Sequence, residues 1–323
     1  MKLIRLVWLI VCATALQFAV SNAALGQAYP NRPVKLVVPF PAGSATDNVA
    51  RVIGSHLQEA LGQPFVIENK PGAQGVIAAD GVAKSPPDGY TLLLTTNTQV
   101  AANVSLFKKL PYDPVKDFAP VARIGTTALV LMVRADFPAK NVPEFLAHVK
   151  SQPGKLSAGY GSSSSQVCIA MLRSLANVDV VSVPYKGIPL AVTDVLSGNL
   201  AFTFVDLGNA LAQHKGGKMR ALAFTADKRT PLAPDWPALA ESVPGYAITA
   251  WFAIMAPAGT PNDVVQKLYD QTAKGVVKTD VQAKLATVGV APAPMTPDEL
   301  GRFIKTEIAL WAKLVKEAGI EPE

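Results

Sequence analysis

Apolar and polar positions along this chain follow two periods, and the places where one gives way to the other mark its elements. Val34–Val38 is a short, β-branched run, which predicts a strand covered on both faces. Pro39 and Pro41 end it and Gly43 frees the backbone. Ser44, Thr46 and Asp47 then offer N-cap oxygens ahead of Val49, Val52, Ile53 and Leu57, which recur at helical spacing. The same order of strand, turn and helix returns at Phe65–Asn69, 70–75 and 76–84. A third strand, 90–95, ends on Thr95, Thr96, Asn97 and Thr98.

Strands alternating with helices predict right-handed βαβ units and a parallel sheet. After the proline-punctuated stretch 110–120, residues 121–133 form a β-rich run long enough for a crossing between two lobes. A second series follows: helix 142–151, strand 156–160, the loop 161–166 opening a helix 167–175, strand 180–183, helix 189–196, strand 200–205 and strand 219–225. Residues 249–256 read as the return crossing. Val264, Leu268, Val276, Val277, Val281 and Leu285 mark two further helices. Thr296-Pro297-Asp298-Glu299 opens a last one whose stripe Leu300, Phe303, Ile304, Ile308, Trp311 and Leu314 is core. The pattern predicts an α/β fold of two lobes around a hinged cleft, with 27–125 and 252–323 in lobe 1 and 126–251 in lobe 2.

Composition adds an address. Lys2 and Arg5 precede an apolar stretch, 6–20, and then Ser21-Asn22-Ala23, the layout of a cleavable export signal over residues 1–23 with cleavage after Ala23 or Gly26. The run is shorter than the roughly 20 apolar residues of a membrane span. Removing Lys2 and Arg5 takes the formal net charge from +6 to +4. The remaining Lys and Arg are scattered, without the basic blocks of a nucleic-acid surface, so no nucleic-acid partner is expected. Cys12 follows Val11, where a lipid-modification box wants a small residue. Cys168 is the one cysteine outside the signal and is expected to be a buried packing residue.

In open sheets ligands sit beyond the carboxyl ends of the strands, which brings Phe40, Pro41, Ala42, Gly43, Ser44, Ala45, Thr46 and Asp47 toward the strand end Thr95 to Thr98, with Thr95 and Asn97 expected to touch the ligand. A helix start is also a place for an anion, and the Ser44 N–H is expected to face it. The loop with Ser162, Ser163, Ser164, Ser165 and Gln166 repeats the device in the second lobe. His56, His148 and His214 are far apart and lack partners at ligand spacing, so no metal site is expected. The chain has no Walker lysine, no dinucleotide glycine pattern and no G-x-S-x-G, so no cofactor and no enzymatic activity are expected. A secreted hydrolase using the serine run is the minor alternative.

The residues then resemble a known family. Tyr29-Pro30-Asn31-Arg32-Pro33, Val38-Pro39-Phe40-Pro41-Ala42-Gly43, Glu68-Asn69-Lys70-Pro71-Gly72-Ala73, Asp88-Gly89-Tyr90-Thr91-Leu92, Val183-Pro184-Tyr185-Lys186-Gly187 and Ala256-Pro257-Ala258-Gly259-Thr260-Pro261 together resemble the Bug family. These are the TctC-type solute-binding receptors of tripartite tricarboxylate transporters. The resemblance implies a periplasmic receptor with the two-lobed type II binding-protein fold. Its ligand would be a small organic carboxylate, and its partners the membrane subunits of a transporter or, alternatively, a membrane sensor. A monomer is expected. The resemblance adds Tyr185 and Asp206 to the cleft. It departs at the second loop, where Ser164 and Gln166 stand in glycine places and Ala170-Met171 replaces a His-Leu pair, and at Phe204-Val205-Asp206, which replaces a Phe-Asp opening.

Overall fold

A computed structural model describes residues 29–323; the export signal expected over residues 1–23 and its expected cleavage point lie outside the described residues. Strand β1 (Val34–Val38), helix α1 (Ala45–Leu61), strand β2 (Phe65–Asn69), helix α2 (Val76–Ala83) and strand β3 (Thr91–Thr96) come first, with the strands parallel in the order β2-β1-β3. The alternation within β1 decides which helix covers which face. Val34, Leu36 and Val38 share a core with Val49, Ile53 and Leu57 of α1, whereas Val37 packs with Ala78, Ala79 and Val82 of α2. Helix α1 begins where the Ser44 hydroxyl accepts the Asp47 N–H and ends at Gly62 in the left-handed region, φ 70°.

A tight turn, Thr98–Ala102, leads into the short α3 (Asn103–Leu106), and the chain then enters β4 (Phe118–Arg134). Helix α4 (Val142–Lys150) precedes a second parallel group: β5 (Ser157–Tyr160), α5 (Ser163–Ala176), β6 (Val181–Pro184), α6 (Ile188–Ser197) and β7 (Phe202–Asp206), in the order β7-β5-β6. Helix α7 (Leu207–Lys215), β8 (Met219–Phe224), β9 (Thr249–Pro257), α8 (Asn262–Val276), α9 (Thr279–Thr287), β10 (Ala291–Met295) and α10 (Pro297–Glu317) complete the chain.

Strand β4 joins the two groups. From Phe118 to Ala128 it pairs antiparallel with β9, and from Leu129 onward antiparallel with β7 and then β8. The expected all-parallel sheet is therefore corrected to a mixed one. Parallel βαβ pairing is confined to the two groups, and the long strands linking them run antiparallel to their neighbours. At the exchange of partners sits fully buried Thr225. Its N–H donates to Leu129 O at 2.9 Å, and its hydroxyl accepts the Leu129 N–H at 3.0 Å and donates to Ile248 O at 2.8 Å. The Ile248 N–H returns to Thr225 O at 2.7 Å, so one residue ties both long strands.

The serine run also differs from expectation. It is the first turn of α5 and not a loop, because Ser162 and Ser165 form a capping box that starts the helix there, four residues before the apolar stripe becomes regular. Helix α7, strand β10 and the 98–106 turn were not expected from the pattern. Trp311, Leu314 and Val315 of α10, with Ala101, Ala102 and Leu106, pack into the core built on Val133, Phe145 and Phe202, so the last helix spans from one group to the other. Cys168 lies in that same core, fully buried.

Candidate functional site

A cavity of about 50 Å³ lies where β4 changes partners. Strand register builds its floor: Thr96 stands opposite Phe252, Thr127 opposite Ala250, and Leu129 opposite Asp206. Helix starts close it. Phe40, Ser44, Ala45 and Thr46 come from the start of α1, Gly161, Ser162 and Ser164 from that of α5, Ile188 from α6 and Asp206 from α7, with Thr98 from the turn after β3. By the same measure a water needs about 10–15 Å³, so the space suits a small organic molecule of a few heavy atoms.

The helix starts hold unspent donors. In α1 the Asp47 N–H goes to Ser44 Oγ (3.3 Å) and the Asn48 N–H to Ser44 O (2.9 Å), which leaves those of Ala45 and Thr46 without an acceptor among the described residues. In α5 the Ser165 N–H goes to Ser162 Oγ (3.2 Å) and the Gln166 N–H to Ser162 O (3.0 Å), which leaves Ser163 and Ser164 likewise. None of the residues around the cavity is Lys, Arg or His. Negative charge there meets amide dipoles and hydroxyls, in a space lined otherwise by Phe40, Leu129, Ile188, Ala250 and Phe252 and by the Asp206 carboxyl.

The expected residues divide into three sets. Phe40, Ser44, Ala45, Thr46, Ser162, Ser164 and Asp206 line the cavity. The Ser44 N–H does not face it, however; it donates to Pro41 O at 3.2 Å. A second set joins the two groups across the cleft. Asn97 Nδ2 donates to Ser164 Oγ (2.8 Å), Gln74 Nε2 to Gln166 Oε1 (3.0 Å), and Asn209 Nδ2 to Gly43 O (3.2 Å). The Ser163 hydroxyl bonds Gln74 Oε1 and lies 2.5 Å from Asn103 Oδ1. Gln74 sits in the left-handed region at φ 49°, its carbonyl held by Gln99 Nε2 (3.0 Å) and Asn103 Nδ2 (3.3 Å). At the rim, a Cβ on Gly187 would stand 2.5 Å from Pro41 Cδ, so glycine permits the two sides to meet there. Ala42 is exposed beside it.

The third set turns away. Asp47 accepts from the Gly43 N–H (2.9 Å), Arg51 Nε and Nη2 (3.0 Å each) and Asn69 Nδ2 (3.0 Å), and so braces the loop it belongs to. Burial raises its pKa, but the Arg51, Gly43 and Asn69 donors outweigh burial and hold the carboxyl below its usual range. Thr95 donates to Gln99 Oε1 (3.0 Å), Ser165 belongs to the capping box, and the Tyr185 hydroxyl donates to Asp194. Burial, then that aspartate, pushes the Tyr185 phenol up to about 12.

Asp206 is the titratable side chain at the cavity. It caps α7 by accepting the Asn209 N–H (3.1 Å) and Asn209 Nδ2 (2.9 Å), and burial pushes its carboxyl pKa up further than these donors pull it down. Sequence reasoning brought Thr96 and Thr98 to the cleft with their strand end but named Thr95 and Asn97 as the ligand contacts, and it missed Thr127, Leu129, Gly161, Ile188, Ala250 and Phe252 as lining residues. Period-two alternation was the available signal: Thr96 falls on the face of Leu92 and Leu94, and Thr127 stands just before the apolar run Ala128–Val133 of β4. The four serines bond Gln, Asn and one another, while His56 meets Gln271 O, His148 meets Gln152 and His214 meets the Trp236 ring edge-to-face.

Two α/β groups, two long strands between them and a cavity at the crossing define the two-lobed type II periplasmic binding-protein fold. Residues 49–320 match the family described as tripartite tricarboxylate transporter family receptor, and the chain belongs to that family. Protein BugT of Bordetella pertussis is 36% identical over 297 residues, 90% of each chain. The structure of R. palustris Rpa4515 with adipate superposes with a TM-score of 0.89 at 35% identity, covering 92% of this chain and all of that one. MatC from Rhodopseudomonas palustris with bound malate gives 0.83 at 34% identity, covering 89% of this chain and all of that one. Both solved relatives hold a small dicarboxylate, adipate in one and malate in the other.

Proposed function

We propose that this protein is an extracytoplasmic receptor that captures one small organic carboxylate in the cavity and presents it to the membrane subunits of a transporter. The observation that carries the reading is the meeting of two helix starts, α1 and α5, with free N–H groups at the lining residues Ala45, Thr46 and Ser164 around a space without a cationic side chain. The relatives with adipate and malate support the ligand class. Residues 27–125 with 252–323 act as one lobe and 126–251 as the other. The residues bonded across the cleft, Gln74, Asn97, Asn209 and Ser163, clasp the lobes in the closed form.

A thermal-shift screen of organic acids, followed by calorimetry, tests the reading. An acid at about 100 times its dissociation constant stabilises the protein by roughly 2.7 kcal/mol. Ala45→Pro removes one free N–H at the first helical position, where proline fits, and Ser44 at φ −68°, ψ 159° already has the backbone that precedes a proline. The variant is expected to keep its melting temperature and to bind roughly tenfold more weakly or worse. Stabilisation by neutral sugars alone, or wild-type affinity in Ala45→Pro, refutes the reading.

A further inference from the structure

Most hydroxyls around the cavity are already engaged. Ser44 Oγ caps α1, Ser162 Oγ bonds Ser165, and Ser164 Oγ accepts from Asn97. Thr96 Oγ1 accepts the Thr98 N–H at 3.2 Å, and Thr127 Oγ1 donates to Gly289 O at 2.8 Å. Thr98 differs. Its side chain is fully buried and lines the cavity, yet Oγ1 has no hydrogen-bond partner among the described residues. Buried hydroxyls are satisfied in the great majority of folded proteins, because the interior offers no water in exchange. The bond from the Thr98 N–H to the preceding threonine fixes the backbone that aims this side chain, so its position is specified by the fold.

We propose that the Thr98 hydroxyl is a ligand-reading group of the cleft, donating its proton to an oxygen of the bound acid, so that Thr98 is a specificity-determining residue. The inference rests on the carboxylate-receptor reading above. It follows from the chemistry of the space: with no cation among the lining residues, each acid oxygen depends on neutral donors, and of the two lining hydroxyls that bond no described residue, Thr46 and Thr98, Thr98 is the fully buried one. A structural role for that hydroxyl would require a protein acceptor, and none is within reach among the described residues. Asn97 Oδ1 is likewise unpartnered and fully buried beside it, while its Nδ2 bonds Ser164 across the cleft. The turn therefore offers one hydroxyl to the ligand and one amide to the opposite lobe.

The test compares wild type, Thr98→Val and Thr98→Ser in the mature chain. Calorimetry is run with acetate, lactate, malate, succinate and adipate as probes, and melting temperatures are taken without ligand. Valine keeps the shape and removes only the hydroxyl. It is expected to weaken the tightest-binding acid roughly tenfold or more. The ligand-free melting temperature should stay equal or rise, since an unsatisfied polar atom is lost. Serine keeps the hydroxyl and is expected to bind close to wild type. Equal affinity in wild type and Thr98→Val overturns the inference while leaving the receptor reading intact. So does a loss of affinity accompanied by a lowered ligand-free melting temperature, the mark of a structural hydroxyl. A wild-type protein that binds none of the five acids removes the receptor reading and this inference together.

Discussion

Thr225→Val tests whether one hydroxyl holds the point where the two long strands leave the second group. Valine keeps the volume and the β-branched shape, so no cavity opens and the strand loses no propensity. What it deletes is an acceptor for the Leu129 N–H at 3.0 Å and a donor to Ile248 O at 2.8 Å, both fully buried at the threonine. A buried backbone group stripped of its partner costs about 1–3 kcal/mol, and two are stripped here, so the expected loss is about 2–4 kcal/mol. That is a large share of the ~5–15 kcal/mol by which domains are stable. Equilibrium urea unfolding measures it. Thr203→Val serves as control: Thr203 is equally buried, but its hydroxyl makes a single bond, to Gly159 O at 2.8 Å, and the expected loss is ~1 kcal/mol. Leu129 also lines the cavity, so ligand affinity should fall in Thr225→Val and survive in Thr203→Val. A loss below ~0.5 kcal/mol in Thr225→Val would mean that the strands are held by their ladders alone, and the hinge argument would fail.

Gly161→Ala places a Cβ 2.1 Å from the Gly187 carbonyl carbon and 2.2 Å from the Ile188 nitrogen, so backbone must move; binding should weaken roughly tenfold and the melting temperature drop, and wild-type affinity by calorimetry would refute this. Asp206 has its folded-state pKa raised by burial, so folding favours its protonated form; its penalty is present above that pKa and disappears as pH falls toward the unfolded value of about 3.9. Asp206→Asn should therefore be more stable than wild type near neutral pH, with the difference closing on acidification, and a pH-independent difference in urea unfolding would contradict the assignment. Cys168, fully buried with its thiol pushed up to about 12 by burial, should resist thiol reagents in the native protein with or without ligand; rapid labelling that a carboxylate suppresses would move it into the cleft.

The elements were legible wherever one period dominated. Strand β1 and the start of α1 follow from four apolar residues around Lys35, two prolines and a serine, and the amphipathic stripe of α10 from Leu300 to Leu314 places that helix against the core. Where polar residues carried two meanings, the pattern misled. Four consecutive serines look like a loop, yet Ser162 and Ser165 satisfy one another as a cap and the remaining two are buried by the opposite side of the cleft. Asp47 looked like a ligand group because it sits beside the helix start, but Arg51 one turn later and Asn69 on the next strand claim it. The antiparallel pairing of β4 with β9 joins residues more than a hundred apart in sequence, and nothing local specifies it. The cavity floor lies on that pairing, which is why Thr127, Ala250 and Phe252 were invisible while the helix-start residues around them were not.

On the receptor reading, the arrangement of donors also explains how a ligand without a cationic partner can control closure. The bonds across the cleft, Asn97 to Ser164, Gln74 to Gln166 and Asn209 to Gly43, join neutral groups, each worth about 1 kcal/mol net because water replaces it in the open form. They hold a closed state near balance. Moving a two-state equilibrium from one in a hundred to its reverse takes roughly 5.5 kcal/mol of differential affinity. A carboxylate can supply it only by contacts made in one state. The free amides of Ala45 and Thr46 belong to the first group and those of Ser163 and Ser164 to the second, so an acid bonded to both sets gains its second set of charge-assisted bonds, about 1.5–3 kcal/mol each, only after the lobes meet. A lysine or arginine in either lobe would bind the anion in the open form as well and reduce that difference. A cavity whose donors are amides and hydroxyls, with Asp206 as its one lining carboxyl and no cation, makes affinity and closure the same event.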